Sequence, residues 1–231
     1  AYIYVRSGTT WTLQQQLTAS DAQPYDNFGF SVAIKGSDVV VGAPYEDPGG
    51  ISSAGSAYVF TRSGTSWSQQ AKLTASSGGA SDYFGDSVAI DGNYIVVASR
   101  LDDIETLTDA GSAYIFVRSG TSWSQQAKLT AFDAATLDRF GSAVAIEGTR
   151  VVIGAASDDE GGNAAGATYI FDRSGSTWSQ TIKLINSDAG ANDQTGYAVS
   201  ISGNTLVTGA YFHTVPGAYQ TNQGAAYVYT I

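Results

Sequence analysis

Four tryptophans, Trp11, Trp67, Trp123 and Trp178, stand 56, 56 and 55 residues apart, each just after an Arg-Ser-Gly turn. Gly29, Gly85, Gly141 and Gly196 keep the same spacing, and Phe28, Phe84 and Phe140 turn three of them into Phe-Gly pairs. A third marker, "AYIYV", "AYVFT", "AYIFV", "TYIFD" and "AYVYT", begins at residues 1, 57, 113, 168 and 226 and so occurs five times. A period of this length, held from end to end, restricts the chain to architectures that repeat one supersecondary unit. The units read approximately 1–56, 57–112, 113–167 and 168–223, with an extra terminal strand at 224–231, all in a single domain.

Each unit reads as four strands. "SVAIDG" and "YIVVAS" flank a Gly-Asn turn, and "AYIFV" and "WSQQAKL" flank Arg-Ser-Gly, both strong hairpin signals. The runs "IVVA" and "YIFV" are almost continuously apolar, as strands buried on both faces must be. The segment from Trp123 to Leu129 alternates instead, placing Gln126 and Lys128 on one side, the pattern of a protected outer edge. The fold expected is therefore all-β, a β-propeller of four-stranded antiparallel blades. With 43% apolar residues, only 14% charged and 27 glycines in 231, the composition suits a cored protein rich in tight turns.

The segment "FGFSVAIKGSDVVVGAPYED" followed by "GSAYVF" resembles the FG-GAP repeat, known from integrin α-chain propellers and bacterial surface proteins. The resemblance extends over essentially the whole chain, although Gly-Ala-Pro decays to "VAS", "GAA" and "GAY", and Phe-Gly to Thr195-Gly196. It implies a non-enzymatic, extracellular or cell-surface binding or adhesion module. Integrin-type blades often carry an Asp-rich calcium loop between strands one and two. Here those connections ("IKGSDV", "IDGNYI", "IEGTRV", "ISGNTL") are hairpins too short to surround calcium. A propeller of seven such blades would also need far more chain, so four units imply a small ring or part of a larger one. The seventeen strands expected are one more than four blades need. The spare strand, residues 1–5 or 226–230, would join another blade or associate with a second molecule. The chain lacks Met and begins inside a unit, which suggests a processed or excised segment.

In an up-and-down blade the 2–3 and 4–1 loops share one face. Those loops hold 16 of the 21 acidic residues, opposed there only by Arg100 and Arg139. This long-loop face is where a protein or glycan partner is expected, at Tyr45, Glu46, Asp47, Asp102, Asp103, Asp158, Asp159, Glu160, Tyr211 and Tyr219, with Phe212 beside them. Alternative readings are a structural subunit that assembles into a filament or larger ring, and a glycan-binding lectin.

In the 4–1 loops, Asp21 and Asp26, Asp133 and Asp138, and Asp188 and Asp193 repeat one spacing, with Ser77 and Asp82 in the remaining copy. Two roles fit: carboxylates that take a calcium ion, or Asp side chains that hold a turn through backbone N–H groups. No cofactor is required by either. The net charge of −10 argues against a nucleic-acid partner. The absence of Cys excludes disulfides, thiolate metal sites and a Cys nucleophile. His213 is the single histidine, a poor candidate for a catalytic base, and no apolar run is long enough to span a membrane.

Overall fold

The computed structural model describes residues 1–215 and 222–231. Among these are seventeen strands, a single 3-10 turn at Pro48–Gly50 and no α-helix. The first hairpin, β1 (Tyr2–Ser7) and β2 (Thr10–Gln16), forms a sheet by itself. Three four-stranded antiparallel meanders follow. The first is β3 (Ser31–Lys35), β4 (Asp38–Ala43), β5 (Ser56–Ser63) and β6 (Ser66–Leu73). The second is β7 (Val88–Asp91), β8 (Tyr94–Ser99), β9 (Ser112–Ser119) and β10 (Ser122–Leu129). The third is β11 (Phe140–Glu147), β12 (Arg150–Ala155), β13 (Ala167–Ser174) and β14 (Thr177–Leu184). The last sheet has three strands, β15 (Thr195–Ser202), β16 (Thr205–Ala210) and β17 (Ala225–Thr230). The expected blades are present, and β17 is the third strand of the fourth blade rather than an addition to it.

The hairpins form as their turns dictate. Asp91 pairs with Tyr94 across Gly92-Asn93, and Ser119 pairs with Ser122 across Gly120-Thr121. Gly92 and Gly120 supply the left-handed φ (56° and 63°) that a two-residue turn needs to match strand twist. The second strands of the first three blades are the most buried elements, with Val40, Val41, Ile95, Val96, Val97, Val151, Val152 and Ile153 all fully enclosed.

Successive blades stack along their first strands, β3 on β7, β7 on β11 and β11 on β15. Phe84 and Phe140 are the wedges, fully buried and edge-on to Tyr114 and Phe116, and to Tyr169 and Phe171. Phe84 also packs against Val40, Ala57 and Val59 of the preceding blade. The Gly-Ala-Pro signature has its cause at the same seam. A Cβ on Gly42 would stand 1.9 Å from the Gly85 carbonyl oxygen, and one on Gly154 would stand 1.8 Å from that of Gly196. The next blade's glycine peptide therefore lies directly on the bare Cα of the second strand.

The fourth strand departs from simple alternation. A bulge inserts Gln14, Gln70, Gln126 and Thr181 between paired positions of β2, β6, β10 and β14. It sends Gln126 outward while Lys128 returns toward its own blade, so the two do not form a common protected edge. Each bulged glutamine then accepts the indole N–H of the tryptophan one unit later: Trp67 to Gln14, Trp123 to Gln70 and Trp178 to Gln126, all at 2.9 Å. The tryptophans thus dock onto the preceding blade, and Trp11 is 63% exposed.

The first hairpin occupies the place of a preceding blade's outer half. Gln15 donates to the Trp67 carbonyl at 2.7 Å and accepts its N–H at 2.8 Å, while Ala1 and Ile3 pack on the cluster around Tyr58 and Phe60. Consequently β1 pairs with β2 and β17 with β16, and the two end strands do not meet in one sheet.

Candidate functional site

The long-loop face contains two kinds of site, one repeated in the first three blades and one shared cavity to which each blade brings a different side chain. The repeated one is built around the acid three residues beyond the second strand: Glu46, Asp102 and Asp158, all buried. Rather than facing solvent, each carboxylate is closed by a lysine from the fourth strand. Lys72 Nζ lies 2.9 Å from Glu46 and 2.7 Å from Asp21, and Lys128 Nζ lies 2.8 Å from Asp102. Lys183 Nζ is held at 2.6–2.8 Å by Asp133, Asp158 and Glu160 together. Tyrosines complete the clusters: Tyr58 donates to Asp21, Tyr114 to Asp102 and Tyr169 to Asp158, and each ring lies beneath its lysine. Burial disfavours the Lys183 charge, but its carboxylate bonds outweigh that and hold the ammonium well above the ordinary lysine value.

The fourth blade breaks the pattern. Counting from Gly209-Ala210, His213 occupies the position of Glu46, Asp102 and Asp158. Its Nδ1 lies 2.8 Å from Asp193 Oδ2, its ring is buried edge-on to Tyr227, and Tyr227 donates to Asp188 at 2.9 Å. The histidine is thus enclosed within the loop framework and not open to a substrate.

The paired aspartates of the 4–1 loops are separated by role. Asp21 and Asp133 belong to the lysine clusters, and Asp188 to the His213 cluster. Asp26, Asp138 and Asp193 are buried and accept the N–H of the residue three earlier, at 2.6, 2.6 and 2.8 Å, as Asp82 does from Gly79. Burial raises the Asp82 and Asp138 carboxyls to about 6, helped by the nearby charges of Asp102 and Asp158 respectively. Among the described residues no three His, Asp or Glu side chains converge as a metal-binding set.

Of the other residues expected on this face, Asp47, Asp103 and Asp159 are exposed and fasten their own loops through the N–H groups of Ser53, Asp109 and Ala164. Tyr211 is 55% exposed and stacks on Tyr197 at 4.9 Å, while Tyr45 lies 4.8 Å from Tyr83 and faces Phe30. Tyr219 lies outside the described residues.

The second site lies where the long-loop ends of the first strands converge. A cavity of about 200 Å³ opens there, lined from all four blades by Phe30, Asp86 and Arg100, Arg139 and Ser142, and Gln194 and Tyr197. Its frame is strictly repeated and its side chains are not. The residue after the repeat glycine is Phe30, Asp86, Ser142 or Tyr197, and the one two before it is Asn27, Tyr83, Arg139 or Gln194. The latter four share one left-handed backbone, φ 55°, 60°, 56° and 56°. Asp86 is ion-paired with Arg100, and its burial, partly offset by that arginine, raises its carboxyl above the usual range.

The lysines that close the acidic clusters escape a motif search, although Lys72, Lys128 and Lys183 return at the tryptophan spacing in a chain poor in charge. The cavity residues escape it because they are marked only by failing to repeat beside an invariant glycine. Matches to the FG-GAP repeat family cover residues 11–60, 67–116, 123–171 and 178–229. No curated protein matches the chain. Each matched unit opens at a tryptophan, joining the outer strand of one sheet to the first three strands of the next; the chain belongs to the FG-GAP repeat family.

Proposed function

We propose that this chain is a non-enzymatic binding domain of an extracellular or cell-surface protein, and that it meets its partner with the long-loop face. One observation carries the reading: on an otherwise repeated frame, the positions that change from blade to blade gather at the mouth of the inner cavity and in the adjoining loops. Side chains that vary on a fixed support are where recognition is written. The acids contribute less than their number suggests, because Glu46, Asp102 and Asp158 are neutralised internally and Asp47, Asp103, Asp159 and Tyr211 remain exposed.

The test is an array of proteins and glycans probed with the labelled chain and two variants. Changing Tyr45, Asp47, Asp103 and Tyr211 together to Ser should abolish the bound spots. Changing Arg6, Arg62 and Arg173 on the opposite turns to Ser should leave them. The reverse pattern overturns the reading.

A separate observation favours self-association as a second reading. The outward faces of the first and last sheets leave Val32, Ile34 and Val228 60%, 61% and 67% exposed, and a further blade of the same kind would cover them. Light scattering should then give a mass above 24.0 kDa that falls when Val32 and Ile34 are changed to Thr. A monomer throughout excludes this reading.

A further inference from the structure

The inner cavity has a charge opposite to its surroundings. Arg100 is neutralised by Asp86, but Arg139 has no carboxylate within bridging distance among the described residues, and its Nε is buried with no hydrogen-bond partner. The arginine lines the cavity without a counter-charge of its own, and an anionic ligand would supply one. Ser142, Ser157, Gln194 and Asp86 line the same cavity. Two aromatic rings, Phe30 and Tyr197, are 53% and 54% exposed at the rim, and Tyr197 is braced from behind by Tyr211.

We propose that this cavity binds an acidic sugar residue, its carboxylate on Arg139 and its ring beside Phe30 or Tyr197. The inference deepens the proposed function and rests on it. The chemistry narrows the ligand in four steps. A guanidinium without a carboxylate partner selects a carboxylate, which it engages by charge-assisted hydrogen bonds. Hydroxyl, amide and carboxylate groups lining the cavity match a ligand that both donates and accepts hydrogen bonds through several hydroxyls. The exposed rings suit the apolar face of a pyranose. The acidic loops around the cavity repel densely charged polyanions, so the ligand carries isolated negative charges, as in a uronic acid unit of an otherwise neutral glycan.

The same repeat that creates the cavity supplies well-tolerated variants. Gln194 holds the Arg139 position one blade later at the same φ of 56°, and Ser142 holds the Phe30 position. Arg139→Gln and Phe30→Ser should therefore fold normally. Calorimetry of the full chain with glucuronate and galacturonate should show millimolar or tighter binding, with glucose and an acetylated glutamyl peptide inert. Arg139→Gln should weaken uronate binding by about tenfold or more, and Phe30→Ser severalfold. Equal uronate binding by wild type and Arg139→Gln, preference for the glutamyl peptide, or no uronate binding overturns the inference. Array spots that depend on the loop-face residues, but not on Arg139, would overturn the ligand class while keeping the face.

Discussion

The acid–lysine clusters and the inner cavity share one face of the molecule and follow opposite rules. In the clusters the first three blades solve the same electrostatic problem alike, with a buried acid, a tyrosine hydroxyl and a lysine from the fourth strand. At the cavity the same backbone presents Phe30, Asp86, Ser142 and Tyr197 at one equivalent position. Polar residues that repeat hold the loops, and residues that fail to repeat on the same frame are free to serve recognition. Acidic residue counts alone miss this distinction, because much of the acid belongs to the frame.

The widest separation between the two rules should appear in a pair of phenylalanine truncations. Phe140→Ala empties a fully buried wedge and should cost about 4 kcal/mol in urea unfolding. Phe30→Ala, at a half-exposed cavity position, should cost under about 0.5 kcal/mol. Similar losses for both would mean that the cavity wall is structural.

Lys183→Met comes next. It strips the single cation from Asp133, Asp158 and Glu160, and with Asp158 only 3% exposed the expected loss is about 3 kcal/mol. Lys72→Met, which leaves two acids rather than three, should lose less. A thermal melt unchanged by Lys183→Met would show that the clusters do not hold the frame.

A smaller effect concerns Asp82 and Asp138. Folded, both keep their protons up to about pH 6, and unfolded they release them near the ordinary 3.8. The folded state therefore binds more protons between these values, and their contribution to stability falls as pH rises from about 4 to 6. Asp82→Asn with Asp138→Asn should stabilise the chain by about 1 kcal/mol at pH 7 and by nothing at pH 3.5. A gain of equal size at both pH values would reject this linkage. The smallest effect expected is that of a chelator. With the loop aspartates engaged by lysine, tyrosine, histidine or backbone N–H, excess EDTA should shift the melting temperature by less than about 1 °C. A fall of several degrees would establish a structural cation.

Much of this arrangement is legible in the residues themselves. The strand count, the hairpins and the apolar second and third strands follow from period and turn chemistry, because those signals are local. The direction of Trp docking is not local. It depends on a bulge at Gln14, Gln70 and Gln126, and nothing in "WSQQAKL" distinguishes its two glutamines except which one the bulge turns outward. Likewise Glu46 reads as a surface acid until Lys72, arriving from the fourth strand, closes over it. The role of His213 emerges only by counting from Gly209, since the surrounding residues have diverged.

The offset between sequence unit and sheet carries a genetic corollary. A unit that starts at its tryptophan is joined to its predecessor at a two-residue turn, where Ser63 meets Ser66, Ser119 meets Ser122 and Ser174 meets Thr177. Unequal crossover between two such turns would add or delete one blade's worth of chain. The surviving outer strand would inherit a partner of the same register, with its glutamine already facing the next indole. Arrays of this kind can therefore change length in whole blades without passing through an intermediate that has a broken sheet.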